Sequence, residues 1–565
     1  MPHKSVYIFR GDSMSNRKNA HRRRLRVAVL AVVCGAVFAA FFARLAWMQF
    51  ARADYYADKA AEASSASYTI TQHAARGVIT DANGVVLARD TTVYDLYLRI
   101  PAPPGTDLRE TVKNIETLTG SKDVETQLAA FCSAASAGEL AVARGADADM
   151  LTAFYTAGLV QSGAVRPAAR GVRSWMGGTL LPHALGLTGP ITAAQWPAAK
   201  ARGLAMDAVI GQSGLEAAYD DLLRGQDGRV LINTGFDGAV RRTAQLRQAV
   251  PGAALVLTVD SSLQKTLQDA LILQIHTLQT TKAAGAGREC RAGAAVVVDV
   301  KTGGILAAAS VPGFDLNACR ADYAVLAADT AAPLLDRTAQ GLYAPGSAFK
   351  PAVATAALTA GIDPAATVNC TGRYGFYNGY QPGCLQYGHS GPVDLRTALE
   401  HSCNIFFYDV GRRLGVDTFS AMAQQLGLAA PTGVEVAEAR GRLTWSSDGN
   451  YQAGLTLMAA IGQGNTAVTP LQLAAYAATL ANYGQRPALH YADRAVSAAT
   501  GETLWQYTPT FTAVPGGSHY VNSVLIGYAP ADDPQIAVAV VLEYGGGGAN
   551  AAPILRAVLD AVFGI

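Results

Sequence analysis

Apolar and polar positions divide this chain into three regimes. The first is an unbroken apolar run, Val27 to Ala43, which follows a segment crowded with Arg17, Lys18, Arg22, Arg23, Arg24 and Arg26. Arg44 can snorkel outward, and Leu45, Ala46, Trp47, Met48 and Phe50 prolong the run to an interfacial tryptophan. The pattern predicts a membrane-spanning anchor over 27–50. The basic cluster places residues 1–26 in the cytoplasm and the bulk of the chain outside. Ala51-Arg52-Ala53 offers the rival reading, a cleavable signal peptide.

The second regime, 51–250, is mixed and loop-rich. Asp54 to Ser67 has a helical pattern, and Arg76 to Ala88 reads as two short strands around an Asn83-Gly84 turn. From 251 to 565 the pattern changes again. Leu255 to Asp260 leads into a helix over Leu263–Leu278, and two apolar strand-like runs, Ala294–Asp299 and Ile305–Ala309, flank a Gly-Gly turn. Residues 351–480 carry helical periodicity, Val524–Tyr528 and Ile536–Glu543 read as antiparallel strands, and Ala552–Phe563 as a closing helix. Strands at both ends with helices between predict an α+β sheet-and-helix sandwich.

Candidate chemistry sits at the start of the helical stretch. In Tyr343-Ala344-Pro345-Gly346-Ser347-Ala348-Phe349-Lys350-Pro351, one helical turn puts Ser347 and Lys350 on one face. A serine needs a neighbouring base to become a nucleophile. Lysine can be that base when burial lowers its pKa, whereas arginine stays protonated. Lys350 is the last lysine in the chain. Further on comes Ser402-Cys403-Asn404, where a second serine can relay protons and an asparagine amide can hold a substrate amide.

The pair of motifs, S-x-x-K then S-x-N, resembles the penicillin-binding proteins and serine β-lactamases. Ile461-Gly462-Gln463-Gly464, Thr469-Pro470-Leu471-Gln472 and Ile526-Gly527-Tyr528-Ala529-Pro530 are similar to the same family's flanking segments. Arg76-Gly77-Val78-Ile79-Thr80-Asp81 and the Gly211–Asp220 stretch resemble the pedestal domain of its class B members. The resemblance implies a cytoplasmic tail (1–26), an anchor (27–50), a pedestal or dimerisation-type domain (51–250) and a transpeptidase, penicillin-binding domain (251–565). It also implies a peptidoglycan D,D-transpeptidase that cross-links stem peptides through a serine acyl-enzyme. Ser347 would be the nucleophile, Lys350 the base, Ser402 the proton relay and Asn404 the substrate-binding amide. The expected partners are peptidoglycan stem peptides, β-lactams, the cell membrane and other cell-wall synthesis proteins.

One part of the pattern is missing. The family's third motif, K-T-G or its His/Arg variants, should follow Asn404. The only Lys-Thr-Gly is Lys301-Thr302-Gly303, ahead of the nucleophile, where it reads as a hairpin turn. His519, with Arg494 further off, is the basic residue nearest the gap. A catalytically weak or inactive homologue acting as a cell-wall scaffold, or a membrane-anchored β-lactam sensor, therefore stand beside the enzyme reading.

Composition adds little to this. With 565 residues and a net charge of +2, bulk charge gives no reason to expect a nucleic-acid partner. The seven cysteines include no C-x-x-C pair and the nine histidines no metal-ligand spacing, so no metal or other cofactor is expected. Cys370 and Cys384 flank a Gly- and Tyr-rich loop, and either bridge or stay reduced. His389 and His401 read as structural histidines.

Overall fold

A computed structural model describes residues 13–53, 67–103, 105–134, 138–206, 208–234, 240–385, 388–514, 526–544 and 548–564. The helical pattern of 54–66 and His519 fall outside these. The chain divides into two compact units, 1–73 with 227–249, and 74–226 with 250–565.

In the first unit, a helix over Ser13–Ala46 ends in a wider π-type turn, Trp47–Ala51. Its segment Ala28–Phe50 has a mean hydropathy of 2.3 and is long and apolar enough to cross a membrane. Arg44 and Arg52 lie over the Trp47 ring at 4.5 and 5.6 Å, which joins charge and aromatic surface at one end of the apolar stretch. A three-stranded antiparallel sheet, Ser67–Gln72, Gly228–Thr234 and Val240–Arg247, completes this unit.

The second unit holds two sheets. The larger runs from Thr503–Gln506 through Ala492–Val496, Ala254–Leu257, Ile79–Thr80 and Val86–Ile100 to Gly138–Ala146, with Val165–Trp175 also paired to Val86–Ile100. It therefore takes strands from both sides of residue 250. The expected hairpin forms, with Ile79 opposite Ala88 and Gly84 at φ 84°. Gly77 is required by packing: a Cβ there would lie 1.8 Å from the Ala253 carbonyl oxygen. Asp81 fixes the hairpin by accepting from the backbone of Asn83 and Val85, and ties it to the next helix by accepting from Ser261. Burial alone would raise the Asp81 carboxyl, but these donors hold it below the usual carboxylate range.

A buried charge cluster locks Arg76 and Arg173 to the segment Glu216–Asp220. Glu216, fully inaccessible, accepts from Arg76 Nε at 2.5 Å and Arg173 Nε at 2.6 Å, while Arg76 Nη1 donates to Asp220 at 2.8 Å. Buried charges are tolerated only when paired in this way.

The second sheet has the order Ile305–Val311, Ala292–Asp299, Ile536–Glu543, Ile526–Ala529, all antiparallel. Ala292–Val298 is buried throughout, so both faces are covered. On one face lie the helices Ser261–Thr281 and Ala552–Phe563, whose Leu267, Leu271, Ile554 and Val558 meet Val297, Val538 and Val540. On the other lies the larger core, which contains the helices Lys350–Thr359, Asn404–Leu414 and Pro470–Ala481. Lys301-Thr302-Gly303 is the turn between the first two strands, with Lys301 Nζ paired to exposed Asp533 at 2.7 Å. It is a structural turn, as the sequence predicts.

Glu216→Ala should destabilise the protein by about 3–5 kcal/mol, because it removes the carboxylate that two buried guanidinium groups share. Glu216→Gln should recover part of this, and chemical denaturation would show both. Asp81 adds a pH dependence. Its folded pKa is depressed, so its contribution is present above its ordinary value of 3.8 and is lost as pH falls through the lower folded value. Asp81→Asn should flatten the acid limb of the melting-temperature curve below about pH 4.

Candidate active site

Ser347 occupies a single 3-10 turn, Gly346–Phe349, that runs straight into the helix beginning at Lys350. Pro351 suits the first helical turn, where a missing N–H costs nothing. The turn is fixed from outside by Ile461-Gly462-Gln463-Gly464. Gly346 N–H donates to the Gly462 carbonyl at 2.9 Å, and a Cβ on Gly462 would fall 2.2 Å from the Gly346 oxygen. Two glycine backbones thus meet directly beside the serine.

Ser402 and Asn404 reach the same place from the junction of two helices, Leu395–Glu400 and Asn404–Leu414. Ser402 sits at φ 53°, in the left-handed region that non-glycine residues rarely occupy. The hydroxyl lies between the other two groups: Ser402 Oγ is 2.9 Å from Ser347 Oγ and 2.9 Å from Lys350 Nζ. Lys350 Nζ also donates to the Ser402 carbonyl at 2.7 Å and to Asn404 Oδ1 at 2.7 Å. Its three donors are thereby placed, and the Phe407 ring lies 5.5 Å away. Asn404 Nδ2 donates to the Gly383 carbonyl at 3.3 Å, which leaves its second N–H available.

Sequence spacing puts Lys350 and Ser347 on one face. Their backbones bond, Lys350 N–H to the Ser347 carbonyl, but among the described residues no side-chain hydrogen bond joins Nζ to Oγ, and the Ser402 hydroxyl stands between. Only 2 % of Lys350 is accessible, and burial pushes its ammonium down from 10.5 to about 8, opposed by nearby Cys384 and Cys403. The three acceptors also favour the charged form, so the group is poised between states near neutral pH.

A second cluster abuts the first. Cys370, Cys384, His389 and Cys403 present ligand atoms that all lie within 4.8 Å of one another. Cys370 and Cys403 are buried, and Cys384 and His389 half-buried. Asn404 N–H points at Cys384 Sγ at 3.4 Å, and His389 Nε2 lies 3.6 Å from the same sulfur. No disulfide is present among the described residues, so Cys370 and Cys384 are not bridged. The Cys384 sulfur beside it and burial push the Cys403 thiol well up. Three thiols and an imidazole at this separation are one small contraction from the tetrahedral set that suits Zn²⁺, with Zn–S near 2.3 Å and Zn–N near 2.0–2.1 Å. Linear spacing hid this group, because its members come from a short strand, a loop and a helix N-terminus. His389, read from sequence as structural, belongs to it, and His401 stacks on His389 at 5.8 Å between ring centres.

The third motif has no counterpart after Asn404 in the sequence. Among the described residues, no strand lies outside Ile526–Ala529 in the four-stranded sheet.

Comparison with known proteins gives the family. Residues 293–510 match the penicillin binding protein transpeptidase domain, and residues 71–257 the penicillin-binding protein dimerisation domain. The peptidoglycan D,D-transpeptidase MrdA of Acinetobacter baumannii is 27% identical over 97% of this chain and 88% of its own length. The peptidoglycan D,D-transpeptidase PbpA of Mycolicibacterium smegmatis is 32% identical over 62% of this chain and 79% of its own. Among solved structures, a chain from a peptidoglycan synthase complex that coordinates polymerization and crosslinking superposes with a TM-score of 0.74. It is 27% identical and covers 96% of this chain and 98% of that one. By its two matched domains, its relatives and its fold, the chain belongs to the class B penicillin-binding proteins.

Proposed function

We propose that this protein is a serine-type peptidoglycan D,D-transpeptidase in which Lys350 activates Ser347 through the hydroxyl of Ser402. The observation that carries this reading is the unbroken chain of hydrogen bonds, Lys350 Nζ to Ser402 Oγ to Ser347 Oγ. Hydroxyl hydrogens rotate freely, so the chain runs in either direction. With Lys350 neutral, Ser347 gives its proton to Ser402, and Ser402 gives its own to Lys350. Ser347 Oγ bonds to the carbonyl carbon of the penultimate D-alanine. The peptide bond to the terminal D-alanine breaks, and the proton returns from Lys350 through Ser402 to the leaving amine. An amine of a neighbouring stem then attacks the ester, and the same relay takes its proton and restores Ser347. The remaining N–H of Asn404 Nδ2 faces the substrate's amide carbonyl.

The absent third motif bears on rate rather than on reaction type. In the family that strand supplies an oxyanion donor and the cation for the substrate carboxylate. Losing one oxyanion donor costs on the order of 10²–10³ in rate. The chain accordingly acylates more slowly than a member that has the motif, and structural service within a cell-wall complex gains weight.

Cys370, Cys384, His389 and Cys403 would hold a Zn²⁺ ion as a closed structural site. Bound there, the metal would keep the thiols deprotonated and clip the 370–384 loop to the start of the Asn404 helix. Residues 1–26 are read as cytoplasmic and those after the 27–50 anchor as extracytoplasmic, with 51–250 as pedestal and 251–565 as transpeptidase domain. The partners are peptidoglycan stem peptides, β-lactams and other proteins of the cell-wall machinery.

Labelled penicillin should attach to Ser347 of the full-length protein in detergent. Ser347→Ala should abolish the label, and Lys350→Arg should reduce it by at least about 10³-fold, since arginine keeps charge but takes no proton. Labelling that persists in Ser347→Ala would overturn the assignment. Because only neutral Lys350 accepts the proton, the acylation rate should rise with pH through about 8 and level off above it. A rate independent of pH between 6 and 9 would remove Lys350 as base. Protein purified in the presence of zinc should carry about one metal ion per chain by elemental analysis, and Cys384→Ser or His389→Ala should lose most of it. Chelation should lower the melting temperature of the wild type and not that of the variants.

A further inference from the structure

Beside the serine cleft lies a cavity of about 390 Å³, which the reaction above does not use. Its walls are Tyr377 and Tyr380, from the loop between Cys370 and Cys384, and Gln452, Gly454, Leu455 and Met458, at and within the helix Ala453–Ala460. Both walls lead directly to the site. Gly383, three residues beyond Tyr380, is held by Asn404 Nδ2 and, at 3.4 Å, by the Tyr408 hydroxyl. Met458 precedes by one turn the Gly462 that rests on Gly346.

The tyrosine wall is pre-organised. Tyr408, Tyr374, Phe376 and Tyr377 form a ladder of rings, with centroid separations of 5.9, 6.3 and 5.0 Å. Arg412 lies 3.8 Å over the Phe376 ring and donates to the Tyr374 hydroxyl at 2.9 Å, and Tyr374 donates to Asp409 at 2.9 Å. Tyr380 closes against the opposite wall, so that a Cβ on Gly454 would sit 3.3 Å from its ring. Rings held this firmly offer flat contact area at little entropic cost.

No lining residue carries a charge. A stem peptide, with its carboxylates and amine, finds no complement here. An uncharged ring bearing hydroxyl and acetamido groups does: tyrosine faces for its C–H surface, phenol hydroxyls and the Gln452 amide for its polar edge. A stem of four residues reaches at most about 14 Å, and three residues of chain from Gly383 to Tyr380 at most about 10 Å. We infer that this cavity binds an N-acetylhexosamine of the glycan strand to which the acylated stem is attached. The inference rests on the transpeptidase reading of Ser347. It also gives the chain a source of substrate affinity where the cation of the third motif is missing.

Protection of Ser347 from a fluorescent penicillin tests this in the full-length protein. Two ligands are compared: a pentapeptide stem, and the same stem on its disaccharide. The wild type should be protected by the sugar-bearing ligand at a concentration about tenfold lower. Tyr380→Ala, and separately Gly454→Leu, which fills the cavity from the other wall, should bring the ratio towards one. Tyr380→Phe, which keeps the ring, should retain most of it. A ratio near one in the wild type, or one that survives both variants, overturns the inference. Should the penicillin fail to label Ser347 at all, the transpeptidase reading falls and the cavity is tested alone. Saturation-transfer NMR should then show contact to the sugar protons of the free disaccharide, lost in Tyr380→Ala. Absence of that contact in the wild type overturns the inference too.

Discussion

The constraint on which the site depends is the burial of one ammonium group. A lone cation out of water costs several kcal/mol unless its donors are met. Lys350 meets them with three oxygens, two of which belong to Ser402 and one to Asn404. The second motif is therefore the solvation shell of the first. Ser402 can supply both its carbonyl and its hydroxyl only because its backbone turns into the left-handed region, at φ 53°. Such a residue stores about 1–3 kcal/mol of strain. The close packing of the two flanking helices, with Cys403, Ile405, Phe406 and Phe407 all buried, holds it there.

How much of this was legible in the sequence depended on how local each feature is. The Ser347–Lys350 pair could be read because one helical turn brings third neighbours together. Its partners Ser402 and Asn404 could be placed only by resemblance, since no local periodicity links them to Lys350. For the same reason spacing gives the face that Ser347 and Lys350 share, but not the Ser402 hydroxyl that stands between them. The Asn83-Gly84 hairpin, the Lys301 turn and the pair Ile526–Ala529 with Ile536–Glu543 followed from strand alternation and turn chemistry. Cys370, Cys384, His389 and Cys403 carry no motif, because a folded loop brings them together. Nor did spacing reveal the ring ladder through Tyr374, Phe376 and Tyr377, in which only the fold brings Tyr408 and Arg412 to the loop.

The two sheets divide the work differently. The larger one draws strands from positions as distant as Ile79 and Ala492, so pedestal and transpeptidase sequences share a hydrogen-bonded framework. The smaller one is buried on both faces and supplies rigidity behind the serine. Arg337 and Tyr343 both hold Glu543, at 2.9 and 2.6 Å, which ties the last residue of its Ile536–Glu543 strand to the segment leading to Ser347. Among the described residues this sheet ends at a strand of four residues, where the family's motif strand would otherwise pair.

The meeting of Gly346 and Gly462 limits how this protein can change. A Cβ on Gly462 would strike the Gly346 backbone, so Gly462 has no alternative residue that leaves the nucleophile where it is, whereas a Cβ on Gly346 meets open space. Both also sit at positive φ, 57° and 72°, which independently excludes most side chains. Selection by β-lactams therefore has no route through Gly462. The route that remains is the loop between Cys370 and Cys384, where Phe376 and Tyr380 are 56% and 39% exposed and a substitution costs only local ring packing. Resistance arising there would alter which ligands reach the serine while leaving its chemistry untouched.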